Sequence, residues 1–571
     1  MKVLLVALNA KYIHSNLAVY SLLSYAGKYS DQIEVMELTI NHSEEGILKE
    51  IYKKRAEVVA FSCYIWNISM VKRICGELKK VQPGVTIWFG GPEVSYDAEK
   101  CLQELTYLDG IMIGEGEQTF LELMEHYCAG SRKLADIAGL AYKEAEAIVL
   151  TKDRLPISLD SIPFPYEDME AFKNRIIYYE SSRGCPFTCS YCLSSIDKRV
   201  RFRNLELVKR ELGLFLTYQI PQVKFVDRTF NCNKKHAMEI WTFLKEHDNG
   251  ITNFHFELSA DLLDEEEIEF LVALRPGQVQ FEIGVQTTNS ATAEAISRKM
   301  DYAKLAQNVR RIKEGSNIHQ HLDLIAGLPL EDYQSFEKSF ADVYNLKPDQ
   351  LQLGFLKILK GSAMETDSGK YGITFRDTAP YEVLFTDALN YEEVLQIKGV
   401  CEMVEIYYNS GQFTNSINYL EHFYESPMKL YQAISDYYER TGNDLLPHNR
   451  VRRYELLLDF LKSIVLEAFK DDDKDAAVSL FGELLVLDLF LREDMKSRPG
   501  FASNISSKNN LRELYEQYHP VRSNIHIEQF TFDVIQASSS GQAIKKPTTL
   551  LFDYNNRDPL NKSAKITVLE I

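Results

Sequence analysis

Apolar strand patterns and amphipathic helix patterns alternate along residues 1–130, and this alternation constrains the fold of the chain most strongly. The apolar runs predict buried parallel strands and the stretches between them predict helices, so we expect a doubly wound, Rossmann-like α/β sheet. Ligands on such sheets bind beyond the carboxyl ends of the strands. The predicted strands cover residues 2–8, 33–38, 58–62, 85–89 and 110–113. With a hairpin around Ala145, the pattern predicts a first domain at 1–150.

A second alternation with longer spacing follows residues 151–174, whose three prolines predict an extended linker. Its strand candidates suit a partial (β/α)6 barrel over 175–395, with the chemistry at the carboxyl-terminal rim. These candidates cover residues 176–182, 222–227, 254–259, 278–286, 321–327 and 351–359. Residues 396–571 have mostly helical patterns with terminal strands, and we expect them to form an accessory or substrate domain.

Three cysteines follow the first strand of the predicted barrel at a Cys-x3-Cys-x2-Cys spacing: Cys185, Cys189 and Cys192. Three thiolates this close can hold three irons of a cubane cluster and leave the fourth iron open to a substrate or cofactor. A zinc knuckle and a set of incidental cysteines are the alternatives. Zinc requires a fourth Cys or His nearby, and none occurs between the motif and Cys232.

The cysteine stretch resembles that of the radical SAM enzymes, whose open iron chelates S-adenosylmethionine (SAM). The resemblance implies a 4Fe–4S cluster on the three cysteines and a reducing partner such as a flavodoxin or ferredoxin. Further motifs continue it in order along the barrel, where it implies SAM contacts from Tyr191, Glu257, Gln286, Arg298, Asp323 and Gly327. A strand-end salt bridge is the alternative role of Glu257, and a helix-surface position is that of Arg298.

Residues after the second barrel strand are expected near the substrate. Asp227 and Asn231 occupy a slot in which related enzymes carry an acidic stretch, so they face the substrate cavity or cap the next helix. Arg228 stands where the family has a second acid.

The first domain resembles the cobalamin-binding domain that precedes the barrel in one class of radical SAM enzymes. Loops after the strands carry the resemblance, which implies cobalamin contacts from Asn9, Lys11, Tyr12, His14, Ser62, Tyr64, Trp66, Asn67, Gly90, Gly91, Pro92, Glu93, Gly114 and Gly116. Because the chain lacks an Asp-x-His-x-x-Gly motif, we expect base-off cobalamin with Tyr64 or Trp66 shielding its lower face. For His14, an ordinary loop position is favoured over a cobalt ligand. The alternative for the whole domain is a Rossmann-like module without a ligand.

The resemblance implies cleavage of SAM at the cluster to a 5′-deoxyadenosyl radical, which takes hydrogen from an unactivated position of a substrate. Radical methyl transfer to carbon is the first expectation. One alternative uses cobalamin for reduction or rearrangement of a substrate such as a modified tRNA nucleobase, with the RNA contacted by Arg452, Arg453, Lys496 and Arg498. A second alternative is a non-catalytic protein that senses cobalamin or SAM.

Bulk composition limits the partners and the compartment. With 64 Lys and Arg against 82 Asp and Glu among 571 residues, the net charge of −18 opposes extended DNA binding. No apolar run approaches the ~20 residues of a membrane-spanning helix. The start, MKVLLVALNAKYIH, is too short an apolar stretch for a secretion signal, and nine cysteines lack disulfide spacing, so we expect the cytoplasm. A small molecule, a peptide and a tRNA all stay open as substrates.

Overall fold

The computed structural model of the protein describes residues 1–468, 471–495, 498–502, 508–518 and 524–569. Its first seven strands are β1 (Val3–Asn9), β2 (Ile33–Thr39), β3 (Val58–Ser62), β4 (Thr86–Gly90), β5 (Gly110–Met112), β6 (Leu140–Glu144) and β7 (Ala147–Leu150). They form one sheet in the order β2-β1-β3-β4-β5-β6-β7. Strands β1 to β5 pair in parallel, and the β6–β7 hairpin adds antiparallel at one edge.

Helices cover both faces of this sheet. They are α1 (Leu17–Tyr25), α2 (Glu44–Lys54), α3 (Ile68–Val81), α4 (Pro92–Ser95), α5 (Ala98–Glu104) and α6 (Glu117–Tyr127). Strand β1 is buried along its whole length because its side chains alternate between two apolar cores. Leu4 and Val6 face one core, whereas Val3 and Leu5 face the other. The predicted doubly wound sheet is confirmed.

Residues 151–174 connect this sheet to a barrel and contain only short 3-10 turns, at Leu159–Ser161 and Met169–Phe172. The next strands are β8 (Ile176–Tyr179), β9 (Ser182–Arg183), β10 (Arg201–Phe202), β11 (Gln222–Phe225), β12 (Asn253–Leu258), β13 (Val279–Gln286), β14 (His319–Ala326) and β15 (Gln350–Phe355). Six of them form a parallel sheet in the order β15-β14-β13-β12-β11-β8, and β9 pairs with β10 separately. This is the predicted partial barrel.

Alternation along the barrel strands gives the barrel a polar interior. In β13, Phe281 and Ile283 pack into the large apolar core under the surrounding helices, whereas Glu282 and Gln286 point the other way. The helices that follow the strands are α7 (Leu205–Thr217), α8 (Lys234–Glu246), α9 (Glu265–Val272), α10 (Ser290–Ala295), α11 (Tyr302–Gly315), α12 (Tyr333–Tyr344) and α13 (Ala363–Asp367). Polar side chains in the lumen can line a binding site at the carboxyl ends of the strands.

The remaining described residues are mostly helical, as the sequence predicted. The helices are α14 (Tyr391–Val404), α15 (Thr414–Glu421), α16 (Pro427–Arg440), α17 (Arg450–Ala468), α18 (Asp471–Arg492), α19 (Lys508–Tyr518) and α20 (Val534–Ser540). The strands are β16 (Thr374–Phe375), β17 (Val383–Phe385), β18 (Ile525–Phe530), β19 (Thr548–Arg557) and β20 (Ala564–Leu569), of which the last three form an antiparallel sheet. Helix α14 runs across residues 395 and 396, where the sequence predicts a domain boundary.

Within the described ranges, none of the helices is both long enough and apolar enough to span a membrane.

Candidate active site

The three cysteines of the spaced motif line one cavity of about 190 Å³ at the carboxyl-terminal rim of the barrel. Their loop is held by its own hydrogen bonds. The Ser195 hydroxyl donates to the carbonyls of Cys189, at 2.9 Å, and Cys192, at 2.6 Å, and the Cys192 N–H donates to Cys189 at 3.1 Å. All nine cysteines of the chain lie in the described ranges as free thiols. A donor set of three unpaired thiols around one cavity fits a cluster with one iron left open.

Five of the predicted SAM contacts line the same cavity as the cysteines: Tyr191, Glu257, Gln286, Arg298 and Asp323. Gln286 has a positive φ of 73° at a register shift between β13 and β14, which turns its amide into the cavity. Among the described residues, Gln286 Oε1 and Arg298 Nε are buried without a hydrogen-bond partner. Orphaned buried polar atoms are rare in proteins, so this lining fits a polar ligand such as SAM.

Gly327, the sixth predicted SAM contact, is placed differently. It has a φ of 81° and does not line the cysteine cavity. A Cβ on Gly327 would lie 2.7 Å from Cγ1 of Val383, so a side chain of the C-terminal region fills the space beside it. The structure does not bring Gly327 together with the other five.

Charged groups at the floor of the cavity largely neutralise one another. Lys224 Nζ lies 2.8 Å from Glu282, His255 Nε2 lies 3.1 Å from the same carboxylate, and His321 Nε2 lies 2.9 Å from Asp323. Burial alone would raise the pKa of Glu282, but the contact with His255 and the charge of Lys224 hold that pKa well below its ordinary value. The Glu282, His321 and Asp323 ligand atoms lie within 4.8 Å of one another, and Lys224 already balances the charge of Glu282.

A larger cavity of about 740 Å³ lies between the first domain and the barrel. Its lining includes Asn9, His14, Tyr64 and Trp66 from the first domain and Tyr178, Lys224, Arg228 and Glu257 from the barrel. Ser194, Arg228 and Glu257 line both this interdomain cavity and the cysteine cavity. The two spaces therefore adjoin.

Two aromatic residues of the first domain form a stacked pair at the interdomain cavity. The rings of Tyr64 and Trp66 are 4.3 Å apart and almost parallel, and Trp66 Nε1 donates to the Leu8 carbonyl at 3.2 Å. Burial raises the pKa of Tyr64 to about 12, so its phenol stays neutral. His14 Nδ1 is 2.8 Å from the Tyr178 hydroxyl across the domain boundary, and burial lowers the pKa of His14. A flat apolar pair beside a hydrogen-bonded histidine fits the predicted roles of these residues.

A third cavity of about 660 Å³ opens at the carboxyl ends of the first domain's strands. Of the residues predicted to contact cobalamin, it is lined by Ser62, Tyr64, Gly90, Gly91, Pro92, Gly114 and Gly116. Gly91 has a φ of 113°, and a Cβ there would lie 2.6 Å from the Cys63 carbonyl oxygen. Glycine is required at this position because a side chain there would overlap the backbone of Cys63.

Several predicted contacts lie outside these cavities. Lys11 and Tyr12 are exposed, and neither lines a described cavity. Asn67 is fully buried and its amide donates to the carbonyls of Leu8, at 3.1 Å, and Ser62, at 2.9 Å, so it holds the loop after β3. Glu93 is buried against Tyr381 of the C-terminal region.

The two residues predicted either to face the substrate or to have a structural role do not line the cysteine cavity or the interdomain cavity. Asp227 is buried and accepts hydrogen bonds from the Ser181 and Ser182 hydroxyls, both at 2.6 Å. Asn231 exchanges hydrogen bonds with the backbone of Ser259, at 2.9 and 3.0 Å. Both side chains therefore support loops at the rim, because nearby donors satisfy them inside the protein. Arg228, between them, lines the two cavities instead.

A charged contact between the domains was not foreseen from the sequence. Arg183 Nη2 lies 2.7 Å from Glu117 of the first domain and 2.7 Å from Glu180, and Arg201 pairs with Glu115. We expected no such role for these arginines, although they flank the cysteine motif and the two glutamates lie in the Gly114–Glu117 loop. The two loops carry opposite charges and are predicted to meet at one cleft. These two features could have indicated the contact from the sequence.

Three family models match successive parts of the chain. A B12 binding domain matches residues 3–124, and the radical SAM superfamily matches residues 179–343. The chain is a cobalamin-binding radical SAM protein. The cofactors expected from the sequence, a 4Fe–4S cluster, SAM and cobalamin, are those of this class. A family described as of unknown function, DUF4080, matches residues 369–552.

Curated relatives of this radical SAM protein match parts of it. An uncharacterised methyltransferase of Pyrococcus horikoshii is 36% identical over 35% of this chain and 45% of its own length. The cobalamin-dependent radical SAM methyltransferase TokK of Streptomyces tokunonensis is 26% identical over 54% and 48%. The anaerobic magnesium-protoporphyrin IX monomethyl ester cyclase of Rubrivivax gelatinosus is 24% identical over 57% and 60%. The chain spans about half the length of these curated relatives.

A solved structure shares the fold. The cobalamin-dependent SAM radical enzyme OxsB with aqua-cobalamin bound superimposes with a TM-score of 0.57 at 15% identity, over 85% of this chain and 80% of that chain. At this identity, the likeness concerns the arrangement of domains and not the substrate.

Proposed function

We propose that this cobalamin-binding radical SAM protein is an enzyme that transfers a methyl group to an unactivated carbon of a substrate held in the interdomain cavity. The observation that carries the proposal is the shared lining. Ser194, Arg228 and Glu257 border both the cysteine cavity and the cavity faced by the first domain's aromatic pair. A substrate between the two sites would meet both cofactors without leaving the protein.

When bound, the cluster supplies the electron that cleaves SAM, and cobalamin supplies the methyl group. The protein's own contribution is binding and geometry. Cys185, Cys189 and Cys192 hold the irons, while Gln286 and Arg298 present unpaired polar atoms to SAM. A cavity bordered by both domains can hold the substrate with its reacting atoms in a set position.

Arg228 and Glu257 mark the passage between the two cavities. Their closest charged atoms are 3.7 Å apart, and the arginine side chain is 56% exposed. Burial raises the pKa of Glu257, and the charge of Arg228 opposes that shift. This loose pair can reorient toward a bound substrate at low cost, so we assign both residues to substrate positioning.

Names of two matched relatives support methyl transfer, because both are methyltransferases. The cyclase relative, whose name gives a reaction other than methyl transfer, supports retaining the second candidate, cobalamin-assisted reduction or rearrangement. The tRNA variant of that candidate has less support. Arg452 is paired with Glu455 at 3.1 Å and Arg498 with Glu528 at 2.7 Å, while Lys496 lies outside the described residues.

The test uses anaerobically reconstituted protein with cobalamin, SAM and dithionite. Methyl transfer predicts both S-adenosylhomocysteine and 5′-deoxyadenosine among the products of wild-type protein. The Cys185→Ala, Cys189→Ala, Cys192→Ala triple variant should form no 5′-deoxyadenosine. The second candidate predicts 5′-deoxyadenosine without S-adenosylhomocysteine. Formation of neither product would favour a non-catalytic sensor and reject the proposal.

We also propose a flavodoxin- or ferredoxin-type reductant and a cytoplasmic location. Free thiols at all nine cysteines support a reducing compartment. The partner can be tested by replacing dithionite with reduced flavodoxin. Reduction of the cluster is then measured as bleaching of its visible absorbance.

A further inference from the structure

Residues 356–385, which follow the last barrel strand and are called the brace here, contact the cysteine loop. The Met364 N–H at the start of α13 donates to the Ser190 carbonyl at 2.8 Å. Ser190 lies between Cys189 and Tyr191, so this bond anchors the middle of the motif. One end of the brace is thereby tied to the loop that carries the cluster ligands.

The brace also packs behind the predicted SAM contacts. Val383 fills the space beside Gly327, as described above, and belongs to a small apolar cluster with Ile296, Leu328, Leu356, Ile358, Met364 and Ile373. Tyr191 packs against this cluster from the cavity side. The two limbs of the brace are joined by backbone bonds, from Ile358 N–H to the Tyr381 carbonyl at 3.0 Å and from Val383 N–H to the Leu356 carbonyl at 2.9 Å.

At its other end, the brace contacts residues 90–97 of the first domain. The Tyr381 hydroxyl donates to the Glu93 carboxylate, and both side chains are buried. Lys360 Nζ lies 2.9 Å from Asp97 Oδ2. Gly361 permits the Tyr96 ring to approach so closely that any Cβ would overlap it. Three polar or close contacts in so short a segment leave it little freedom.

Residues 90–97 are the loop that lines the third cavity through Gly90, Gly91, Pro92, Ser95 and Tyr96. The brace therefore spans the distance between the loop with the cluster ligands and a loop of the cobalamin-type domain. Burial raises the pKa of Glu93, and the Tyr381 hydrogen bond opposes that shift.

We propose that the brace fixes loop 90–97 relative to the cysteine loop, with Tyr381 and Lys360 as positioning residues. This assigns a role to the first part of the region matched by the family of unknown function, which begins at residue 369. The structural claim stands without cofactors. Its consequence, a fixed separation of the two cofactors, rests on the function proposed above, because radical transfer depends on the placement of the reacting atoms.

The test compares apoprotein variants by hydrogen exchange and mass spectrometry. Tyr381→Phe removes only the hydroxyl that Glu93 accepts from, and Lys360→Met removes the charge beside Asp97. Each should speed exchange of the peptide covering 90–97 about tenfold, the effect of losing one buried hydrogen bond or ion pair that restrains a loop. Tyr371→Phe is the matched control, because the Tyr371 hydroxyl contacts Lys370 within the brace and should leave that peptide unchanged.

A second readout follows cofactor binding without turnover. Tyr381→Phe should weaken cobalamin binding in an absorbance titration about fivefold to tenfold, with the iron content of the reconstituted protein unchanged. Equal exchange of the 90–97 peptide in wild type and both variants would overturn the proposal, and so would faster exchange spread evenly over the chain. If wild-type protein binds no cobalamin, the proposed function fails, while the exchange comparison still decides the role of the brace.

Discussion

Glycine at position 184 is required by the path of the cysteine loop. Its φ is 106°, and any Cβ would overlap the carbonyl oxygen of Arg199, which is backbone and cannot rotate away. We predict that Gly184→Ala displaces the loop at a strain of ~1–3 kcal/mol and lowers the iron bound after reconstitution by more than half. Iron and sulfide analysis measures this directly.

The control for that prediction is Gly84→Ala, where a Cβ meets nothing within 4 Å and the backbone is not left-handed. It should bind iron as wild type does. Full iron loading of Gly184→Ala would show that the loop tolerates the methyl group and that the assigned constraint is wrong.

At this scale, sequence reasoning located side chains through strand order. Tyr191, Glu257, Gln286, Arg298 and Asp323 reach one cavity because strand ends of a parallel barrel meet at one rim. It did not anticipate the internal partners of Asp227, Asn67 and Glu93, which are local hydroxyls, backbone carbonyls and a residue almost 300 positions away. Residue type alone does not reveal whether a polar group is satisfied internally.

Among the elements, the loop after β14 carries a carboxyl group that should titrate near neutral pH. Glu331 is buried and accepts from the hydroxyls of Thr287, at 2.6 Å, and Ser339, at 2.9 Å. Burial raises its pKa from an ordinary 4.5 to about 7, an effect that the two hydroxyls oppose. The folded protein then holds a proton that the unfolded chain has released.

It follows that the free energy of unfolding should fall as the pH rises from about 4.5 to 7 and level off above that. The contribution of this one group is about 3 kcal/mol. Glu331→Gln keeps an acceptor oxygen but cannot ionise, so its stability relative to wild type should rise by that amount between pH 5 and 8. Denaturant unfolding at several pH values measures it. The exposed Glu314→Gln variant should track wild type, and parallel curves for Glu331→Gln would contradict the assignment.

Element prediction from the sequence succeeded where burial is strong. Helices α2, α3 and α6 lie between the predicted strands of the first sheet, as expected, because each buries one amphipathic face against that sheet. Helix α14 covers the expected boundary at 395–396 as one continuous helix.

Across the whole molecule, Arg183 links the barrel to the first domain. Its guanidinium is 2.7 Å from both Glu117 and Glu180, and the glutamate of the first domain is buried. Burial alone would raise the pKa of Glu117, but the charge of Arg183 holds it below its ordinary value. Arg183→Met leaves both carboxylates unpaired and should cost about 3 kcal/mol.

Arg199→Met is the matched control, because the Arg199 side chain is 74% exposed and pairs with Asp197 at 3.2 Å. Its effect should stay below ~1 kcal/mol. Thermal and denaturant unfolding of both variants give the comparison, and equal stability would show that Arg183 does not hold the domains together.

Contacts at this scale were beyond prediction from one sequence. Arg183 and Glu117 are 66 positions apart, and the brace reaches Glu93 from 288 positions away. Contacts between residues so far apart produce no periodic pattern in the sequence. The two alternating strand–helix stretches do produce one, and from it both sheets could be predicted. The two sheets were therefore predictable one by one, and their mutual placement was not.

The open iron is the centre of this account, and electron–nuclear double resonance tests it most directly. The sample is anaerobically reconstituted, reduced protein with SAM labelled at its amino nitrogen and carboxylate oxygens. We predict hyperfine coupling from both labels to the cluster, because only three cysteines ligate its irons. A cluster held by four protein ligands with no coupling to SAM would contradict the account.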